Sequence, residues 1–260
     1  MQPLSQCPPA RLAAVRGVLT DIDDTLTEGG QIAPEALQAL HDLRAAGIPV
    51  IALTGRPAGW SEPLALAWPV QAIVAENGAV MLRCIDSQLQ FDFTEDAATR
   101  AANFICLKAC AADVIARVPG ATLATDSPGR LTDIAIDHSE FAHLSADQIA
   151  AVCDVMHAHG LQATVSSIHI NGWIGDHSKW TAAAWAVGPD NFDPAEWIYV
   201  GDSTNDALMF ARMPTSIGVA NIARFVTQLS ALPTYVTEAE RGAGFAELSA
   251  ALLRCKTMKS

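Results

Sequence analysis

The stretch GVLTDIDDTLTEGG, Gly17–Gly30, sets three carboxylates (Asp21, Asp23 and Asp24) into four positions directly after an apolar run. Like charges packed this closely cost free energy unless something offsets them. An apolar run of this kind reads as a buried strand. In an open α/β sheet the carboxyl end of such a strand is where ligands sit.

Working outward, the next segment is IAPEALQALHDLRAAG. Pro34 suits a first helical turn, Leu37, Leu40 and Leu43 fall on one face, and Gly47 is a natural stop. IPVIALTGR then reads as a second strand, apolar from Val50 to Leu53, and QAIVAENG as a third, Ala72 to Ala75. Strand, helix and strand within about 35 residues predict a βαβ unit with a buried parallel sheet. The rhythm returns late in the chain. EWIYVGD, TSIGVA and TYVT read as strands, NDALMFARM and IARFVTQL as helices. The fold class expected is α/β, a doubly wound parallel sheet built from two separated parts of the chain.

The middle has a different texture. QLQFDFT, ATLAT, LTDIAID and LQATVSSIHI read as strands, alternating with helices near Asp96–Val118 and Ser145–His159. This mixture predicts an inserted α+β domain over an antiparallel sheet. The expected division is a core of residues 1–84 and 171–260, with an insertion at 85–170.

Composition bounds the function. Half the residues are apolar and 17% are charged, which is globular rather than disordered. A net charge of −12 repels nucleic acid and anionic membrane surfaces, so no nucleic-acid or membrane partner is expected. No stretch approaches the roughly 20 apolar residues of a membrane helix. MQPLSQCPPARLAAVRG lacks the apolar segment of a signal peptide. The six cysteines show no C-x-x-C pair and read as free thiols, so a cytoplasmic location is expected.

Three strand ends carry polar residues: Asp21 and Asp23, then Thr54-Gly55-Arg56, then Gly201-Asp202, with Lys179 on a helix start (SKW) before the last. Each alone is weak. A lone DxD more often caps a helix, and GD after a strand is more often just a turn. Together, in this order, DIDDT, LTGR, Lys179 and GDSTNDALM resemble the four motifs of the haloacid dehalogenase superfamily of phosphatases. AENGAV just before the insertion resembles the sugar-phosphatase-like branch, whose second-class cap is inserted at this point.

That resemblance implies a set of roles. Asp21 would attack phosphorus to form an aspartyl-phosphate, and Asp23 would act as acid and then base. Mg²⁺ would be held by the Asp21 carboxylate, the Asp23 main-chain carbonyl and Asp202, with Asp206 ligating directly or orienting bound water. Thr54, Gly55 and Lys179 would hold phosphoryl oxygens. Asn205 would orient Lys179 or the phosphate. Such a cation would make the crowded carboxylates tolerable.

Arg56 either reaches the substrate or ties down its own loop. In TVSSIHINGWIG an extended backbone would set Ser167, His169, Asn171 and Trp173 on one face, a set suited to sugar hydroxyls, with Ile168 and Ile170 on the other. Alternatively, Asn171-Gly172 is a hairpin turn and Asn171 is structural. Residues 86–170 hold four Lys and Arg against eleven Asp and Glu. An acidic lid argues against polyphosphates and phosphoinositides and favours a sugar monophosphate or related small phosphate monoester. A phosphorelay receiver shares some of these residues but is about half this length, without an insertion. A phosphomutase would have to rebind a bisphosphate under an acidic lid. A non-catalytic phospho-ligand-binding protein would not need every motif position filled.

Overall fold

The structure is a computed structural model that describes residues 1–257. The chain opens with β1 (Gln2–Pro3), α1 (Pro9–Ala14) and β2 (Gly17–Thr20), followed by a small hairpin of β3 (Thr27–Glu28) and β4 (Gln31–Ile32). Next come α2 (Pro34–Ala45), β5 (Val50–Leu53), α3 (Ala58–Ala67), β6 (Ala72–Ala75), β7 (Val80–Ile85) and β8 (Gln88–Phe93). The middle contributes α4 (Ala97–Arg117), β9 (Thr122–Leu123), β10 (Asp133–Asp137), α5 (Ala146–Ala158), β11 (Gln162–Val165) and β12 (His169–Trp173). The last part runs through α6 (Lys179–Val187), β13 (Trp197–Gly201), α7 (Ala207–Arg212), β14 (Ser216–Gly218), β15 (Tyr235–Val236) and α8 (Arg241–Thr257).

The main sheet has the order β1-β15-β14-β13-β2-β5-β6-β7-β8, parallel through its centre and antiparallel from β7 onward. β2, β5, β6 and β13 are buried at every residue. That is why they read as unbroken apolar runs rather than alternations: both faces are covered. Leu40 and Leu43 of α2 pack with Phe245, Leu248 and Leu252 of α8 on one face. Ala182 and Ala183 of α6 pack with Met209 and Phe210 of α7 on the other. The expected α/β, doubly wound architecture is the one observed.

A second sheet, β11-β12-β10-β9, is antiparallel and forms the cap. Ile134, Ile136 and Ile170 meet Leu107, Val114, Val152 and Met156 of α4 and α5, which gives the cap a core of its own. α4 begins at Asp96, whose side chain accepts from Thr99 N–H, and α5 begins with a capping box of Ser145 and Gln148. The sheet pairing changes over later than residues 85 and 170. β8 pairs with β7 in the main sheet, and β12 pairs with β10 and β11 in the cap.

Two local expectations need correction. IARFVTQL does not form an α-helix: its first residues end a 3-10 turn, Ala220–Arg224, in which the Asn221 side chain bonds Asp24 O, Asp202 and Arg241 N–H. Asn171-Gly172 is not a turn, since both lie within β12 opposite Ala135 and Ile134. A Cβ at Gly172 would come within 2.8 Å of Met156 Sδ, so close packing against α5 requires the glycine. The hairpin turns instead at Ser166–Ile168, where Ser166 N–H donates to His169 O (2.8 Å).

Candidate active site

The carboxyl ends of β2, β5 and β13 converge, as the parallel register dictates. Asp21 follows β2, its N–H bonded to Val200 O (2.8 Å). Lys179 is the first residue of α6, fixed by a capping box of Ser178 and Thr181. Its ammonium donates to Asp21 Oδ1 (2.6 Å) and Asp206 Oδ1 (2.6 Å), and it is 4% exposed. Asp206 is saturated. Its Oδ1 also accepts from the Tyr199 hydroxyl, and its Oδ2 accepts from the N–H groups of Asp202 (2.9 Å) and Ser203 (3.1 Å). Gly201 lies so close to Asp206 Oδ2 that any side chain there would displace the carboxylate.

Asp202 is different. Its Oδ2 accepts from Asn221 Nδ2 (3.2 Å), but its Oδ1 is buried without a hydrogen-bond partner. One oxygen from each of Asp21, Asp202 and Asp206 lies within 4.8 Å of the other two. Burial, with Asp206 and Asp23 adding to it, pushes the Asp21 carboxyl up to about 8 although Lys179 pulls it down. Burial together with Asp21 and Asp206 pushes Asp202 well up too. The same surroundings, with burial opposing, hold Lys179 firmly protonated. Hard oxygen donors around an orphaned buried carboxylate oxygen fit a divalent cation, whose charge would reverse the upward shifts.

The Asp23 carboxylate lines the same cavity as Asp21 but shares none of this cluster's hydrogen bonds. Arg56 Nε donates to both its oxygens (3.1 and 3.0 Å), while the Arg56 Nη atoms reach Asp126 (3.1 Å) and Glu140 (3.3 Å) in the cap. Thr54 Oγ1 accepts from Arg56 N–H (2.9 Å), holding the loop after β5. Gly55 O accepts from Asn171 Nδ2 (2.7 Å) and Arg130 Nη1 (3.0 Å). A Cβ on Gly55 would come within 2.9 Å of that Asn171 nitrogen.

Asp21, Asp23, Thr54, Gly55, Arg56, His169, Asn171 and Asn205 all line one cavity. Its volume is about 10 Å³, room for about one water. Asn205 makes no hydrogen bond to Lys179; its Oδ1 accepts from Ser203 Oγ (3.0 Å). His169 is tied to Glu140 (2.9 Å) and Asn171 to the core loop. Ser167, expected on the strand, reaches the cavity from the hairpin turn. Tyr199, Asn221, Asp126 and Glu140 were missed. Only Tyr199 carried a signal, a polar tip inside the apolar WIYV run.

Residues 18–113 match the family model of the haloacid dehalogenase-like hydrolases. A search of curated proteins finds no sequence match. Among solved structures, a Thermoplasma acidophilum protein (0175) is 16% identical with a TM-score of 0.72, covering 92% of this chain and 98% of its own. The sucrose-phosphatase of Synechocystis, solved with sucrose and phosphate, is 14% identical with a TM-score of 0.67, at 92% and 98% coverage. A HAD/COF-like hydrolase from Plasmodium vivax is 15% identical with a TM-score of 0.67, at 93% and 96% coverage. These likenesses show the fold, cap included. The family model covers the first βαβ part of the sheet and the start of the cap, residues 18–113, and the four motifs fall on the strand ends and helix start that the shared fold brings together. Among the described residues, no helix is long and apolar enough to cross a membrane.

Proposed function

We propose that this protein is a haloacid dehalogenase-like hydrolase, a Mg²⁺-dependent phosphatase acting on a small phosphate monoester, a sugar phosphate or related phosphorylated polyol or acid, through an aspartyl-phosphate on Asp21. The observation that carries the reading is the Asp21–Lys179–Asp206 cluster beside the orphaned Asp202 Oδ1. When bound, the cation would screen nucleophile and phosphate from each other and polarise a phosphoryl oxygen. Asp21, Asp202 and the Asp23 carbonyl are its holders in this reading. Asp206, with both oxygens committed, acts by aiming Lys179 or through water.

The chain's own groups do the rest. Asp21 Oδ attacks phosphorus as the ester P–O bond breaks, and Asp23 gives its proton to the departing oxygen. Water then attacks phosphorus, the P–Oδ bond breaks, and Asp23 takes the water's proton. Thr54, the Gly55 amide, Asn205 and Lys179 surround the phosphoryl oxygens. A cavity of about 10 Å³ cannot hold a sugar phosphate, so the cap lifts to admit substrate. On the cap side its lining is Ser166, Ser167, Ile168, His169 and Asn171, of which the serines, the imidazole and the amide suit hydroxyls. That lining offers no lysine or arginine for a second phosphate, which disfavours a phosphomutase. Six free cysteines support a cytoplasmic placement.

The test is phosphate release from p-nitrophenyl phosphate with Mg²⁺, with chelator, and then from a panel of sugar phosphates. Metal-dependent turnover with selectivity for a sugar phosphate is expected. Full activity in excess chelator would overturn the metal role, and no turnover on any monoester would overturn the reading.

A further inference from the structure

Arg56 sits on the core, but two of its three carboxylate partners belong to the cap. Its side chain is 8% exposed, and its guanidinium lies 5.0 Å from the Trp60 ring centroid. Nη1 meets Asp126, whose other oxygen is gripped by Arg130. Nη2 meets Glu140, whose other oxygen is bound to His169. Glu140 is itself placed by Asp137, which accepts from the N–H groups of residues 139 to 142. Arg56 Nε is left to Asp23. Among the described residues, Arg56 is the only hydrogen-bond partner the Asp23 carboxylate has.

We propose that Arg56 is a positioning residue for Asp23, and that the cap carboxylates Asp126 and Glu140 set the guanidinium only when the cap is shut. The inference rests on the phosphatase reading above. A planar fork with all three nitrogens committed fixes the plane in which both Asp23 oxygens lie. With the cap lifted, Arg56 loses two of its three anions. Its remaining pair with Asp23 is then solvent-exposed and orders the carboxylate little. Acid–base help is thus confined to the closed enzyme. A purely structural latch would hold the cap down and do nothing to Asp23.

The two halves of the reaction separate these roles. Nitrophenolate leaves without a proton, so Asp23 is dispensable for the first half with p-nitrophenyl phosphate. An alkoxide leaving group needs that proton, and the second half needs Asp23 as base whatever the substrate.

The experiment compares wild type with Arg56→Gln, Arg56→Lys and the Asp126→Asn/Glu140→Gln double variant by rapid mixing with p-nitrophenyl phosphate and Mg²⁺, with acid quench for protein-bound phosphate. Thermal melting establishes that each variant is folded. Arg56→Gln is expected to keep a first-turnover burst of nitrophenolate and lose about 10- to 100-fold in steady-state kcat, with acyl-phosphate accumulating. On a sugar or alkyl phosphate the burst should vanish as well. Arg56→Lys keeps the charge but not the fork and should recover only part of kcat, and the double variant should fall in the same sense. A rise in KM with unchanged kcat, or a fall in kcat without trapped phosphate, would overturn the positioning role. A wild-type-like double variant would overturn the cap's part in it. Absence of any turnover by the wild type would overturn the phosphatase reading, and the inference with it.

Discussion

Glu76 offers the sharpest test of how the cap is held on the core. It is fully buried and sits in the left-handed region (φ 51°), which side chains rarely adopt without compensation. The compensation is visible. Its Oε1 accepts from Ala58 N–H (2.9 Å) and Leu131 N–H (3.0 Å), and its Oε2 from Leu131 N–H (3.1 Å), Thr132 N–H (2.6 Å) and Thr132 Oγ1 (2.5 Å). One carboxylate therefore closes the amino end of α3 and pins residues 131–132 of the cap. In Glu76→Gln the carboxamide can present its oxygen to one side only. With that oxygen toward Thr132, the amide nitrogen confronts Ala58 N–H and leaves a buried donor unsatisfied, at about 1–3 kcal/mol. The remaining bonds lose their charge assistance, roughly 1 kcal/mol each, and relief of carboxylate desolvation returns part of this. The net is about 2–4 kcal/mol. For a chain of this size, that lowers Tm by about 4–16 °C. Calorimetry of wild type and Glu76→Gln at neutral pH is the assay. A Tm within 1 °C or so of wild type, roughly the shift of a neutral surface change, would refute the claim that this carboxylate ties the two layers together.

Asp21→Asn is nearly isosteric and should fold while losing essentially all turnover; substantial residual activity in a clean preparation would remove Asp21 as nucleophile. Asp202→Asn should weaken Mg²⁺ binding, read by titration calorimetry, with activity falling in step. Tyr199→Phe removes one donor from buried Asp206 but leaves Lys179 and two N–H groups on it, so a loss of about 1–2 kcal/mol is expected in urea unfolding, not collapse. His177 is pushed down to about 4 by burial. The unfolded chain therefore binds the extra proton first, and stability should drain away as pH falls from about 6.5 to about 4. His177→Phe should flatten that limb of the urea-midpoint profile, and an unchanged slope would clear the histidine of it.

What the sequence shows of this protein follows a physical division. Asp21, Thr54, Gly55 and Asp202 were legible because each lies within a residue or two of a buried strand's carboxyl end, so an apolar run broken by a polar residue marks both the strand and the site. Lys179 was legible because SKW is a helix start and its order among the motifs was diagnostic. β8 was misplaced for the opposite reason. A half-exposed alternating strand pairs with whatever edge is free, and the Gln88–Phe93 pattern is the same whether that edge belongs to core or cap.

The partners of Arg56 lie deeper still. Asp126 and Glu140 are 70 and 84 residues away, in loops whose composition is that of any acidic surface. On sequence, the insertion's excess of acid read as a screen against anionic substrates. In the fold, at least three of those acids, Asp126, Asp133 and Glu140, are spent on Arg56 and Arg130 at the layer boundary. Charge counted along a chain cannot tell a carboxylate facing solvent from one clamped to an arginine. What the cap shows the cavity is therefore set by Ser166, Ser167, Ile168, His169 and Asn171, side chains of the hairpin and β12 that the cap's net charge does not describe.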